Sequence, residues 1–257
     1  MHPILFKIGS WPIHSYGALI AAGFIAASVV FRKLSERSKL NVDQVMDLVF
    51  WSFLIGFLGA RTLYVITRWE DFASDPASIF RIWEGGLVFF GGPLAVVPFL
   101  IWYLRKHALP LWKTMDVLVP GIALAHAFGR LGCLAAGCCY GKPTGSEWGV
   151  KLDSPLVEES MRGIFLHPVQ LYESAALLVL FAGLLLVYRS RRFDGQVVLT
   201  YFMAYPMIRS ITELFRGDSI RGFVIDGWLS TSQFISAMVF LAAAVALFFR
   251  LKGRKSA

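Results

Sequence analysis

The sequence predicts an all-α integral membrane protein, a bundle of about seven transmembrane helices in a single polytopic domain over 1–257. Three observations carry that prediction. Of 257 residues, 56% are hydrophobic and only 16% charged, where a soluble domain carries about a quarter. The apolar residues fall in long uncharged runs, and a helix crossing a bilayer needs ~20 of them. Runs this long and continuous do not fit barrel strands, the other structure whose backbone is satisfied in lipid.

The runs lie at about 16–31, 43–67, 86–104, 114–136, 171–188, 195–215 and 230–249. Ahead of the first, Met1 to Ser15 contains Pro3, Lys7 and Pro12 and lacks a small-residue cleavage site after a short apolar core. That predicts a retained interfacial arm rather than a cleaved signal. The longest connection, Gly141 to Gln170, is polar and leaves room for a small periplasmic segment between spans four and five. No repeat of fixed period and no soluble module is apparent.

Basic residues orient the bundle, because Lys and Arg gather in cytoplasmic loops. Four follow span one (Arg32, Lys33, Arg37, Lys39), three follow span three (Arg105, Lys106, Lys113), three follow span five (Arg189, Arg191, Arg192), and Arg250, Lys252, Arg254 and Lys255 close the chain. The opposite side has Lys7, Arg68, Arg81, Lys142, Lys151, Arg162, Arg216 and Arg221, spread over longer segments. The N-terminus is therefore expected outside and the C-terminus in the cytoplasm. The same distribution accounts for the net charge of +8 through anionic lipid rather than nucleic acid, since no basic cluster sits on a soluble module.

Arg61, Arg130 and Arg209 remain, all inside spans. A guanidinium there costs a few kcal/mol or more, and intramembrane ionisable residues are functional by default. Spans two, four and six run outward. Arg61 precedes Arg68 by seven residues and Arg209 precedes Arg216 by seven, ~10 Å of helix in each case. All three thus fall in the outer half of the membrane, on three helices, which predicts one shared anion site. Guanidinium suits phosphate, with planar multidentate hydrogen bonds and a permanent charge, and the phosphate at that depth is a phospholipid headgroup. The competing reading is separate snorkelling, or local pairing of Arg209 with Glu213 at i,i+4. Neighbours extend the site. Tyr205, Arg209, Glu213 and Arg216 share a helix face, Tyr64 stands three residues from Arg61, and His126 stands four from Arg130. Taken alone, His126 reads as a hydrogen-bonded packing histidine.

Span three opens Trp83-Glu84-Gly85-Gly86-Leu87-Val88-Phe89-Phe90-Gly91-Gly92-Pro93. Glycine pairs such as Gly91-Gly92 let another backbone or a lipid approach closely, and serve ordinary helix packing equally well. Span four ends Gly129-Arg130-Leu131-Gly132-Cys133-Leu134-Ala135-Ala136-Gly137-Cys138-Cys139-Tyr140-Gly141. The spacing of its thiols matches no standard zinc pattern, even with His126 or His167 as further ligands. A cysteine nucleophile is a further alternative, but the pattern reads first as small packing residues, with no metal and no cofactor expected. Three cysteines make no extracellular disulfide framework.

The block Gly129 to Gly141 resembles the signature of the prolipoprotein diacylglyceryl transferases, which begins Gly-Arg-x-Gly and closes Tyr/Trp-Gly. The resemblance continues through Tyr16-Gly17, Gly59-Ala60-Arg61, the double glycines of span three, His167-Pro168-x-Gln170-Leu171-Tyr172-Glu173 and Tyr205-x3-Arg209-x3-Glu213-x2-Arg216, in family order over nearly the whole chain. It implies a multi-pass enzyme of the bacterial inner membrane that moves the diacylglyceryl group of phosphatidylglycerol to the lipobox cysteine of a prolipoprotein, leaving a thioether and glycerol phosphate. By position, Arg130 is similar to the family's phosphatidylglycerol-binding arginine, Arg209 to its second essential arginine, and Tyr16 and Tyr205 to its functional tyrosines. The chain departs from the family where a histidine proposed as base is replaced by Phe90, and where asparagine and glutamate are replaced by Cys133 and Cys138. Glu213, His126 and a tyrosine stand as proton acceptors. A transporter or flippase for an anionic lipid or solute would use the same arginines, but it predicts internal repeats; a different membrane lipid transferase is the third reading.

Overall fold

In the computed structural model, which describes residues 4–8, 11–81, 85–218, 222–225 and 228–255, each predicted apolar run contains one helix. These are α1 (Ser15–Arg37), α2 (Val42–Thr67), α4 (Gly91–Lys106), α5 (Leu111–Ala136), α6 (Val169–Ser190), α7 (Gln196–Glu213) and α8 (Thr231–Lys255), with one short helix, α3 (Trp69–Ala73), after α2. Trp83 and Glu84 of the glycine-rich block and Arg221 of the outer charge set lie outside the described residues. Five helices, α1, α2, α5, α6 and α8, are long and apolar enough to cross a membrane. The other two are shorter, α4 with 16 residues and α7 with 18. Large apolar side chains such as Ile25, Leu58, Val179, Leu186 and Phe249 point outward from the protein. In water they would be a liability; in a bilayer they face acyl chains.

Among the described residues the strands are three two-stranded antiparallel pairs: β1 (Ile4–Ile8) with β2 (Trp11–His14), β3 (Val150–Lys151) with β4 (Phe165–Leu166), and β5 (Phe223–Ile225) with β6 (Leu229–Ser230). The expected N-terminal arm is thus a hairpin. The polar connection after α5 has its own small core of Tyr140, Leu152, Val157 and Leu166.

The chain forms two compact units, Met1–Val30 with Met115–Ala257, and Phe31–Thr114. In the Phe31–Thr114 unit, α2 packs on α4. The predicted third span begins at residue 86, but the helix begins only at Gly91, because Gly85 and Gly86 take left-handed φ of 89° and 81°. A side chain at Gly86 would also strike the Tyr64 ring and, at 2.7 Å, Arg61 Nη1. The preceding stretch ends in a turn at Phe89 and Phe90 and is tied to α2 through Val88 N–H donating to Ala60 O at 3.0 Å.

In the larger unit α7 packs against both α6 and α8. Asp116, fully buried near the start of α5, accepts hydrogen bonds from Gly195 N–H (2.8 Å) and Val198 N–H (2.9 Å). It therefore caps α7 from another helix, satisfying donors that a helix start leaves open. Ser174 Oγ donates to Ala127 O at 3.1 Å, tying α6 to α5, and Gly23 of α1 lies against Phe128 of α5. Tyr140 and Gly141 form the crossing of three segments. Lys142 N–H donates to Phe215 O, Gly217 N–H to Tyr140 O and His167 N–H to Lys142 O. A Cβ on Gly217 would sit 2.6 Å from Gly141 O, so both glycines serve that close crossing.

Candidate functional site

The larger unit gathers Arg130, Arg209, Glu173, Glu213, His126 and Tyr205 within one electrostatic neighbourhood. Each arrives on a helix whose register is fixed by the ties above. Arg130 Nε on α5 lies 3.0 Å from Glu173 Oε2 on α6, and His126 Nε2, one turn earlier on α5, lies 3.9 Å from Glu173 Oε1. Glu173 is only 1% exposed, so this carboxylate is a wholly interior counter-ion. On α7, Arg209 Nη2 meets Glu213 Oε2 at 2.5 Å and donates to Ser232 Oγ of α8 at 3.0 Å. The Arg209–Glu213 pair at i,i+4 is therefore formed, and it sits within the shared cluster. Arg209 Nη1 is buried and has no hydrogen-bond partner among the described residues.

The aromatic rings complete the cluster. Tyr205 packs 5.1 Å from the His126 ring and stacks on Tyr201 at 5.7 Å, and its hydroxyl lies against the Arg130 guanidinium. Tyr16, at the start of α1, is 45% exposed, fits against Gly132 of α5, and lies within electrostatic range of Arg130 and the three cysteines. Arg216 beyond α7 makes a two-pronged pair with Asp218 at 2.9 and 2.5 Å. Burial disfavours its charge, but the Asp218 carboxylate outweighs burial and holds the guanidinium above its usual range.

Arg61 and the glycines have other partners. All three Arg61 nitrogens donate to backbone carbonyls of its own unit: Nε to Ile79, Nη1 to Gly85 and Gly86, Nη2 to Ser78 and Arg81, at 2.7 to 3.5 Å. Its guanidinium also lies over the Tyr64 and Phe72 rings. Within its own unit the Arg61 fork is thus engaged by the backbone carbonyls of Ser78, Ile79, Arg81, Gly85 and Gly86. Tyr64 serves the same clamp. Gly91 and Gly59 approach so closely that a Cβ on either would strike the other's carbonyl oxygen, and a Cβ on Gly92 would lie 3.3 Å from Gly56 O. Both glycines of the pair face α2, and the backbone-approach reading of that motif describes them.

Sequence reading gave no role to Glu173, which is nevertheless the hub of the cluster. The available signal was a carboxylate three residues into an apolar run, the mirror image of the arginine argument. Gln170, one turn earlier, donates to Cys138 O at 2.7 Å and fixes the loop after α5. Ser232 had no signal; only the packing of α8 on α7 reveals it.

Comparison with known proteins gives a family model described as prolipoprotein diacylglyceryl transferase, matching residues 3–249. Among curated relatives, the phosphatidylglycerol–prolipoprotein diacylglyceryl transferase of Clostridium tetani is 37% identical over 237 residues, 92% of each chain. A second such transferase, from Clostridium perfringens, is 34% identical over 99% of this chain and 98% of its own. One from Legionella pneumophila (strain Corby) is 36% identical over 94% of both.

Proposed function

Since the chain belongs to the prolipoprotein diacylglyceryl transferase family, we propose that it transfers the diacylglyceryl group of phosphatidylglycerol to the lipobox cysteine of prolipoproteins, as a seven-span protein of the bacterial inner membrane with its N-terminus outside. In that reading α4 and α7 complete the bundle. The non-helical residues before Gly91 supply length that the ~24 Å of α4 lacks.

The observation that carries the chemistry is the convergence of two guanidinium groups from separate helices, the half-buried Arg130 and the buried Arg209, with no hydrogen-bond partner for Arg209 Nη1 among the described residues. Their carboxylate partners, Glu173 and Glu213, make the bare site tolerable to bury, yet leave donors for one more anion. A phosphodiester headgroup fits that need. As the glycerol carbon–oxygen bond breaks, charge grows on the departing phosphate, and fixed cations in a water-poor site stabilise it most where it develops. The acceptor sulfur attacks the carbon from the opposite side, forming the thioether and releasing glycerol phosphate. Glu213 is committed to Arg209, which leaves His126, ring to ring with Tyr205, as the proton acceptor at hand. Tyr16, half exposed beside Gly132, lines the approach. Arg61 in this scheme holds the backbone of Ser78, Ile79, Gly85 and Gly86.

The test is incubation of purified protein with phosphatidylglycerol and a lipobox peptide. A thioether product with release of glycerol phosphate supports transfer. Lipid crossing a vesicle membrane without product points to a transporter, and product on another acceptor points to a different lipid transferase.

A further inference from the structure

The three cysteines are more than small residues at a helix end. Helix α5 stops on Gly137, whose left-handed φ of 77° allows two closing hydrogen bonds, Gly137 N–H to Leu134 O (3.1 Å) and Cys138 N–H to Cys133 O (3.0 Å). The second folds Cys138 back over Cys133. Cys139 then takes φ 58°, a conformation that residues with a side chain rarely adopt. Such strain persists only where surroundings enforce it and is concentrated at functional sites. Its result is that the sulfurs of Cys133, Cys138 and Cys139 all lie within 4.8 Å of one another. Gln170 holds the carbonyl of Cys138 from α6, so the turn is fastened rather than loose.

Three sulfurs bonded to one tetrahedral zinc-like ion at ~2.3 Å stand roughly 3.8 Å apart, a spacing comparable to the 4.8 Å within which these thiols lie. A disulfide requires a sulfur–sulfur distance of ~2.05 Å and leaves the third thiol unused. Burying three thiolates and a divalent ion leaves a net negative charge, and Arg130 and Arg216 both act electrostatically on Cys139. No histidine or carboxylate joins the group among the described residues. Metal sites with three protein ligands and a free fourth position bind or activate a ligand from outside, while closed four-ligand sites are structural.

We propose that Cys133, Cys138 and Cys139 bind one thiophilic d10 cation of the zinc class, with the fourth position open to the acceptor thiol. The second half rests on the transferase reading. The acceptor thiol displaces bound water and forms a metal–sulfur bond, and its proton passes to water. This route to thiolate needs neither His126 nor Tyr205. The sulfur lone pair then forms the carbon–sulfur bond as the carbon–oxygen bond to phosphate breaks. The electron pair leaves on glycerol phosphate, and the thioether, a poor ligand, is released from the metal.

The experiment uses the full-length protein in detergent, reduced and stripped by chelator, titrated with Cd2+ as probe. The sulfur-to-cadmium charge-transfer absorption should saturate at one ion per chain, and Zn2+ should displace it. Cys138→Ser and Cys139→Ser, each checked for a wild-type elution profile, should abolish tight binding. Adding the lipobox peptide, but not its Cys→Ser form, should strengthen the absorption. A chain that shows no such absorption while all three thiols remain alkylatable overturns the site, as does isolation of a Cys133–Cys138 disulfide in a chain that takes up no metal after reduction. Undiminished transfer by metal-free protein overturns the thiol-activating role while the transferase reading stands. One bound Cd2+ without transfer under any condition supports the metal site and sinks the transferase reading instead.

Discussion

Arg130→Lys is the sharpest perturbation of the proposed phosphate site, because it keeps the charge and removes the fork. Arg130 Nε lies 3.0 Å from Glu173 Oε2, and the guanidinium also meets the Tyr205 hydroxyl. A lysine ammonium is a single point that cannot hold Glu173 and a phosphate oxygen in the same arrangement. Losing one charge-assisted hydrogen bond costs about 1.5–3 kcal/mol, a fall in kcat/KM of roughly 10- to 150-fold. Because the phosphate gains charge in the transition state, part of the loss should appear in kcat rather than in KM alone. The assay is mass-spectrometric detection of thioether on a lipobox peptide, with phosphatidylglycerol varied. Thermal unfolding provides the control: lysine still neutralises Glu173, so its midpoint should fall less than that of Arg130→Ala. Wild-type kcat/KM for Arg130→Lys would refute the assignment. Equal destabilisation by lysine and alanine would show that any lost activity reflects folding.

Other perturbations test the scaffold. Glu173→Gln removes the buried counter-charge of Arg130 and should destabilise by about 3–5 kcal/mol; the double variant with Arg130→Gln should recover part of that loss, measured as a coupling in denaturation. Asp116→Ala frees the start of α7 and should cost about 2–3 kcal/mol, or roughly 4–12 °C in thermal midpoint. Gly59→Ala drives a Cβ into the Gly91 carbonyl and to 2.5 Å from Ala95 Cβ, so it should lower the midpoint through overpacking of about 1–3 kcal/mol. Gly183→Ala, where a Cβ meets nothing within 4 Å, should not lower it. Arg61→Lys cannot satisfy the carbonyls of Ile79, Ser78, Gly85 and Gly86 together, and limited proteolysis within 78–86 should accelerate.

What the sequence determined by itself was set by solvent. Runs of apolar residues of bilayer length specify helices whatever their neighbours, because backbone groups in lipid have no other partner, and all seven runs contain helices. The same reasoning marked Arg130 and Arg209 as expensive charges in need of partners, and Glu173 and Glu213 provide them. Tertiary structure decided how each charge is satisfied. Arg61 looks equivalent to the other two by span and spacing, but a guanidinium serves five carbonyls as readily as a phosphate, and only the tertiary placement of the Ser78, Ile79, Arg81, Gly85 and Gly86 carbonyls shows what engages it. The start of α4 was likewise hidden, since a glycine pair inside an apolar run is compatible with helix or with left-handed turn until α2 is packed beside it. The cysteines show the limit most clearly: their spacing in the chain fits no metal pattern, yet a helix closed over one left-handed glycine, followed by one left-handed cysteine, brings three sulfurs together.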